Sequence, residues 1–476
     1  NSLILWSYGA GIGVDFSPLR SRGRPLISKG GQSSGMVSFL KAINSVASTI
    51  ETGGQRRSGM LGMCHVEHPE LKDFITAKVK DGDLSYFNLS LAINGHFLDA
   101  VEQGEKWSLV SQGVKEASVD ANELWAFILK TMIDHAEPGL INHDKLISNN
   151  SYYFSKISCT NLCGEIPLPP YGVCCIGSLV LPKFVKGTST DWQGLEYTIE
   201  TAVRFLDNVL DVNCYPLPQM EHQAKQGRRI GLGVMGLHDY LMEKKVRYGS
   251  PRGLDEIEKL FKFLRDTAYR VSADLAAEKG AFPAYKTHDF ASASFVRKLP
   301  PKIRAYVKER GIRNVTLLAA PPTGTTSLIP ECSSGIEPVF SLAYDRNDRV
   351  SSRAYVHPKM IEFINSGEKK KPKWLTDSYD LTPVDHLEVQ IAVQKYIDNS
   401  VSKTINCPHG TSVDDLSKLL LEYMRDLVGV TVYVDGSKEG QILKPISLSE
   451  VKKRLKSGEI SSDTVEKECK SGACDL

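Results

Sequence analysis

Between Ser34 and Ile50 the apolar residues Met36, Leu40, Ile43, Ala47 and Ile50 recur at steps of four, three, four and three, the spacing of one helix face, and Gly53 and Gly54 stop the run. The same spacing returns in Leu195, Ile199, Ala202, Leu206 and Val209, and again in Leu260, Leu264, Ala268, Val271 and Leu275. Short β-rich runs, such as Val315 to Ala320 and Val430 to Val434, lie between such helices. This alternation predicts an α/β architecture with mostly parallel strands and leaves barrel and open sheet both open. Near the end, Ser447 and Glu450 read as a capping box, Ile446 and Val451 as a hydrophobic staple, and Gly458 as the helix stop. The tail from Glu459 to Leu476 is polar and aperiodic and reads as a mobile arm. The chain opens on Asn1 and runs straight toward Gly9, Gly11 and Gly13, so it reads as entered mid-domain.

Composition narrows the class without naming it. The 476 residues, 41% hydrophobic and 24% charged, suit one large globular unit. A net charge of +2, from 58 basic and 56 acidic residues, gives no cationic field of the kind that DNA or an anionic membrane selects, so any phosphate binding is local. No apolar stretch reaches the roughly 18 residues of a membrane helix, and no basic segment precedes the short apolar start, which reads as cytoplasmic. Ten cysteines are many for such a chain and imply that some do redox chemistry. Paired Cys-x-x-Cys motifs and zinc-finger spacings are lacking, so no metal site is expected.

The segment Asn161-Leu-Cys163-Gly-Glu165-Ile-Pro-Leu is the most informative. On an extended chain positions 161, 163 and 165 share a face, which would gather an amide, a thiol and a carboxylate. Pro167, Pro169 and Pro170 deny a helix, and Gly164 leaves room beside the thiol. Taken alone, the triplet reads equally as a proline-rich surface loop with a buried cysteine. A second thiol, Cys174, returns eleven residues after Cys163 in Gly172-Val-Cys174-Cys175-Ile-Gly177-Ser178. Downstream, Pro322-Thr323-Gly324-Thr325-Thr326-Ser327 follows an apolar run and would present amides and hydroxyls at a helix start. It lacks the Gly-Lys pair of a Walker A loop, and it also reads as a merely capped helix.

The first two segments together resemble the finger loop and following strand of ribonucleotide reductases, whose pattern is Asn-x-Cys-x-Glu and then a redox cysteine in Gly-x-Cys-Asn-Leu-Gly-Ser. Here Cys175 stands for the Asn and Ile176 for the Leu. The resemblance extends over essentially the whole chain, through Gly9-Ala-Gly-Ile-Gly13, Phe16-Ser-Pro-Leu-Arg20, Gly53-Gly-Gln-Arg56-Arg, His68-Pro69, Asn88-Leu-Ser90, Arg204-Phe-Leu-Asp207, Gly233-Val-Met-Gly-Leu237 and the 322–327 segment. It implies a ten-stranded α/β barrel of two parallel half-barrels around a central finger loop, covering 1–445 without its N-terminal portion. Residues 446–476 would form a C-terminal helix and a redox-cysteine tail.

By the same resemblance, Cys163 would carry the thiyl radical that takes hydrogen from the ribose 3′ carbon inside a closed cavity. Glu165 would be the base for the 3′-hydroxyl, Asn161 would hold the hydroxyls, and Cys174 would be one of two thiols that reduce the 2′ position. The partner of Cys174 would lie upstream of Asn1, supplied by a missing part of the chain or by a separate one. Cys469 and Cys474 would shuttle electrons from a thioredoxin- or glutaredoxin-type reductant, leaving Cys64, Cys159, Cys214, Cys332 and Cys407 as buried small residues. Substrate, a ribonucleoside di- or triphosphate, would meet Pro322, Thr323, Gly324, Thr325, Thr326 and Ser327 with Ala10 and Gly11. Arg20 and Arg56 would serve a dNTP or ATP effector in a homodimer.

The segment Gly429-Val-Thr-Val-Tyr433-Val-Asp-Gly-Ser437 resembles the adenosylcobalamin-dependent members. Iron-dependent members carry two adjacent tyrosines here for a radical from a separate di-iron subunit, whereas this segment has Tyr433 alone. The Cys-x4-Cys ending is more like theirs, so the iron-dependent subunit is the alternative. A radical-dead nucleotide-binding homologue is the reading from another class, opposed by the intact Asn161, Cys163, Glu165 and Cys174, and a simple thiol-disulfide protein would not need the nucleotide-binding segments.

Overall fold

The computed structural model describes residues 1–28, 30–50, 59–79, 84–347, 352–437 and 443–459. Its centre is a set of strands in two parallel blocks. In the first block β1 (Ile12–Asp15), β2 (Met60–His65), β3 (Phe87–Ile93) and β4 (Gly139–Asn142) pair in that order, all parallel. A short hairpin of β5 (Cys159–Thr160) and β6 (Pro167–Leu168) comes next in the chain. The second block contains β7 (Cys175–Val180) parallel to β8 (Ile230–Met235), and β9 (Thr404–Cys407) parallel to β10 (Gly429–Val434).

Single parallel bridges, Leu232 to Leu318 and Ala320 to Val401, carry the second block across residues 315–320 from β8 to the start of β9. The blocks meet antiparallel, with Gly429 of β10 opposite Ile141 of β4 and Val430 opposite Leu140. Strand ends that are C-terminal in one block therefore lie beside N-terminal ends of the other.

The strands are hydrophobic almost throughout, as sheets covered on both faces require. All six residues of β8 are buried, as are the first five of β2. Helices supply the cover. The run around Leu40 becomes α1 (Met36–Ala47). The two longer periodic runs become α2 (Trp192–Val212), capped by Asp191 accepting from the Gly194 amide, and α3 (Pro251–Lys279), capped by Ser250 with Pro251 in its first turn. Leu195, Ile199, Leu260 and Leu264 join Leu232 and Leu318 in one core, each burial worth about 1.5–3 kcal/mol. Leu40 and Leu89 belong to another core, which the first block shares with β9 and β10 through Ile405 and Val432.

Two local expectations need correction. Residues 315–320 form isolated bridges rather than a regular strand, because the amides of Leu317 and Leu318 donate to the Asp398 carboxylate, each at 2.8 Å. At α4 (Leu448–Ser457), Ser447 caps the Glu450 amide and Gly458 ends the helix at φ 74°, but the Glu450 carboxylate turns to Arg454 at 3.0 Å, so the box is only half made. Val451, with Ile446 against it, packs into a small core with Leu342, Val356 and Phe363. Among the described residues no helix is long and apolar enough to cross a membrane.

Candidate active site

The β5–β6 hairpin holds Asn161 to Ile166 at its end. The extended-chain argument for this segment does not hold. Residues 161–164 turn, with the Gly164 amide donating to the Asn161 carbonyl at 3.2 Å and Gly164 at φ 80°, a left-handed conformation that glycine adopts without strain. A hairpin must reverse here, so hydrogen bonds rather than alternation bring amide and carboxyl together. Asn161 accepts from the Ile166 amide at 3.0 Å through Oδ1, and its side chain also bonds the Glu165 carboxyl.

Both blocks grip the loop. On one side, β1 approaches so closely that a Cβ on Gly13 would collide with the Thr160 carbonyl, and Leu162 packs against Gly11 and Gly59. On the other, the Ser400 amide donates to the Glu165 carbonyl at 2.8 Å, and Ile166 reaches β8, where its Cδ1 would lie 3.4 Å from a Cβ on Gly231. Cys174 Sγ would lie 3.2 Å from that same added Cβ. Gly231 is thus the gap into which the loop and the second thiol both fit.

Glu165 is 3% exposed, and its Oε2 has no hydrogen-bond partner. Burial raises its carboxyl above the ordinary glutamate range, while its own amide and the Asn161 side chain pull it back. Cys174 is half-buried, with burial raising its thiol far above the usual value and Arg229 opposing the rise. Cys163 departs from expectation. It was expected in a closed cavity, yet it is exposed, because it stands at the turn's tip beside Gly164, where an added Cβ would meet nothing within 4 Å.

The segment 322–327 follows Ala320, whose amide donates to the Ser400 carbonyl at 3.2 Å, so one residue links it to Glu165. Its expected helix start is a single three-residue 3-10 turn at Thr326–Leu328, too short to act as a helix terminus. Thr323 at φ 51° accepts from the Gly335 amide through its hydroxyl, and Ser327 is buried against Ser334. Gly324, Thr325 and Thr326 are exposed, while Pro322 is half-buried. Ala10 and Gly11 lead into β1, with Gly11 3.6 Å from Leu162 by its Cβ position.

Arg20 is already engaged, donating to the Pro25 carbonyl at 2.6 Å and to Gln112 at 3.2 Å. Arg56, Cys469 and Cys474 lie outside the described residues. Cys64, Cys159 and Cys407 are buried as expected, but Cys332 is half-buried and Cys214 is exposed just beyond the end of α2. Sequence reasoning missed Arg229, Asp398 and Asn399. The signals were a charged pair, Arg228-Arg229, entering an apolar strand, and a polar pair, Asp398-Asn399, following an apolar helix.

Residues 1–433 match the family model described as "Ribonucleotide reductase, barrel domain". The chain is 35% identical over 463 residues to a vitamin B12-dependent ribonucleoside-diphosphate reductase of Mycobacterium tuberculosis (strain CDC 1551 / Oshkosh), a match covering 91% of this chain and 65% of that protein. It is 32% identical over 476 residues to the protein of the same name from Thermoplasma acidophilum, covering 93% of this chain and 60% of the relative. A ribonucleoside-diphosphate reductase subunit alpha of Chlamydia trachomatis is 26% identical over 440 residues, covering 80% and 42%. The chain thus spans from about two fifths to just under two thirds of the length of these relatives. A match over nearly its whole length, with an amide, thiol and carboxylate on one hairpin between two parallel blocks, shows that the chain belongs to the ribonucleotide reductase barrel-domain family.

Proposed function

We propose that this chain forms the catalytic part of an adenosylcobalamin-dependent ribonucleotide reductase, which converts ribonucleoside di- or triphosphates to 2′-deoxyribonucleotides. The observation that carries the reading is the buried Glu165 carboxyl, with one oxygen unpartnered, on the loop that bears Cys163 and beside Cys174. Substrate hydroxyls bind at Asn161 and Glu165, and Glu165 Oε2 takes the 3′-hydroxyl proton. The Cys163 thiyl removes the 3′ hydrogen, and Cys174 supplies one of the two reducing thiols. The exposed residues Gly324, Thr325 and Thr326, together with Ala10 and Gly11, are assigned to the substrate phosphates.

The exposed Cys163 sulfur and the open space at Gly164 leave room at the turn, and these two residues would contact adenosylcobalamin. When bound, adenosylcobalamin supplies the radical that converts the Cys163 thiol to thiyl. Tyr433 of β10 is flanked by Val432 and Val434, which disfavours the paired-tyrosine relay of a di-iron partner, and the two most similar relatives given above are named as vitamin B12-dependent. The ten-stranded closed barrel, the 1–445 and 446–476 division, the homodimer with its dNTP or ATP effector near Arg20, the Cys469–Cys474 shuttle fed by a thioredoxin-type protein and the cytoplasmic location belong to the same proposal.

The test is deoxynucleotide formation with adenosylcobalamin and a dithiol, with the upstream segment supplied. Activity that needs the cofactor and disappears in Cys163→Ser and Glu165→Gln is expected. Full turnover by Cys163→Ser would overturn the reading.

A further inference from the structure

Arg229 immediately precedes β8, and the parallel register that sets Cys175 opposite Ile230 places Cys174 beside it. Residues two apart on a strand share a face, so Arg229 and Gly231 point the same way. Cys174 Sγ lies 3.2 Å from where a Gly231 Cβ would stand, so the sulfur lies over the face from which the Arg229 side chain rises. That guanidinium is held rigidly. Its Nη1 donates to Asn399 Oδ1, its carbon lies 4.6 Å from the centre of the Tyr152 ring, and the residue is 2% exposed. Nη2 is buried without a hydrogen-bond partner, and among the described residues no carboxylate lies within ion-pair distance. The nearby Asp398 carboxylate is occupied by the amides of Leu317 and Leu318 and by the Tyr269 hydroxyl, all at 2.8 Å.

Asp398 is thus the nearby counter-charge but makes no direct ion pair with Arg229, and a buried cation whose Nη2 is left unpaired is costly, so an anion forming beside it is favoured. We propose that Arg229 is a positioning residue for Cys174, its guanidinium serving as counter-charge to the thiolate that Cys174 becomes when it leaves a disulfide. The inference rests on the reading of Cys174 as a redox thiol. When the thiolate of a dithiol reductant attacks the sulfur bonded to Cys174, a new sulfur–sulfur bond forms there and the bond to Cys174 breaks. The electron pair goes to Cys174 Sγ, which later takes a proton from water. A better-stabilised leaving thiolate departs faster.

The groups acting on Cys174 divide by sign. Burial, the neighbouring Cys175, the Glu165 carboxyl of the hairpin and Asp398 all disfavour its thiolate, whereas Arg229 favours it. Arg228, on the other side of the strand, acts on Cys175 instead.

The test needs no turnover. The intact chain is alkylated with iodoacetamide across the pH range in which thiols titrate, and modification of Cys174 and of the exposed Cys214 is followed by peptide mass spectrometry. Below a thiol's pKa the rate follows its thiolate fraction, and one unit of pKa is about tenfold. Arg229→Gln is expected to slow Cys174 about tenfold at a given pH with Cys214 unchanged, and Arg229→Lys to stay within about threefold of the parent. Asn399→Asp, which keeps the side-chain shape but places a carboxylate on Nη1, is expected to slow Cys174 by about threefold or more and carries the test if the Gln variant does not fold. Parental rates at Cys174 in folded Arg229→Gln or Asn399→Asp would overturn the inference. If the rates shift but the chain makes no deoxynucleotides, the electrostatic role stands and the proposed activity falls.

Discussion

The amide of Ser400 donates to the carbonyl of Glu165 at 2.8 Å, tying the end of the hairpin to the second strand block while Gly13 lets the first block close on its other side. The carboxyl is thereby fixed from both flanks. Replacing Gly13 by alanine puts a methyl into the Thr160 carbonyl and must lift the hairpin from β1. Such overpacking costs about 1–3 kcal/mol. Urea unfolding of Gly13→Ala should show that loss together with slower turnover, and an unchanged midpoint would refute the close fit.

If Glu165 is the base of the proposed reaction, its raised carboxyl sets the acid side of the pH profile. A base works deprotonated, so activity falls as pH drops through its elevated pKa. Asn161→Ala removes a bond to the charged form and raises that pKa further. The acid limb of kcat/KM should therefore move to higher pH, whereas a limb that stays in place or moves down would show that Asn161 does not support the carboxylate.

His357 Nε2 and the Asp239 carboxylate meet at 3.0 Å, nearly buried, and Asp239 also accepts from the Ser333 amide at 2.7 Å. The histidine contact and these bonds outweigh burial and lower the Asp239 carboxyl to about 2. A depressed carboxyl stabilises above its unfolded value, near 3.9, and loses that contribution as pH falls through the folded one. The parent should thus lose this stability between about pH 4 and pH 2. His357→Leu leaves a buried charge and should cost about 3 kcal/mol at neutral pH, with a flatter acid decline in calorimetry.

Asp207 of α2 is fully buried and accepts from Arg228 at 2.8 Å, Asn314 at 3.0 Å and Arg313 at 3.2 Å. Removing it strands cations in the core, so Asp207→Ala should cost about 3–5 kcal/mol. Asp211 bonds the same Arg228 but is 44% exposed, and Asp211→Ala should cost under about 1 kcal/mol. Similar losses in the two variants, measured by denaturant titration, would contradict this ordering.

How much the sequence disclosed follows from the range of the forces involved. The helices over Leu40, Leu195 and Leu260 were legible because their periodicity is local. The 315–320 segment was misjudged because its amides are taken by Asp398, some eighty positions along the chain. The triplet at 161, 163 and 165 was found for a partly wrong reason, since the turn at Gly164 replaces the alternation invoked for it. Arg229 was overlooked although the pair Arg228-Arg229 enters an apolar strand, because its partners Tyr152 and Asn399 lie about 77 and 170 positions away and set a buried role that the pair alone does not specify.

The antiparallel junction of β4 and β10 joins residues 141 and 429, with β7, β8 and β9 of the second block between them in the chain. A contact so remote in sequence carries a large loop-closure cost, which slows folding. The seam should close last and breathe first, so its amides should exchange with deuterium sooner than those between β2 and β3, whose partners are near neighbours in sequence. The weakest line would then run through the boundary between the two strand blocks, leaving each block to persist as a cooperative body while the other opens.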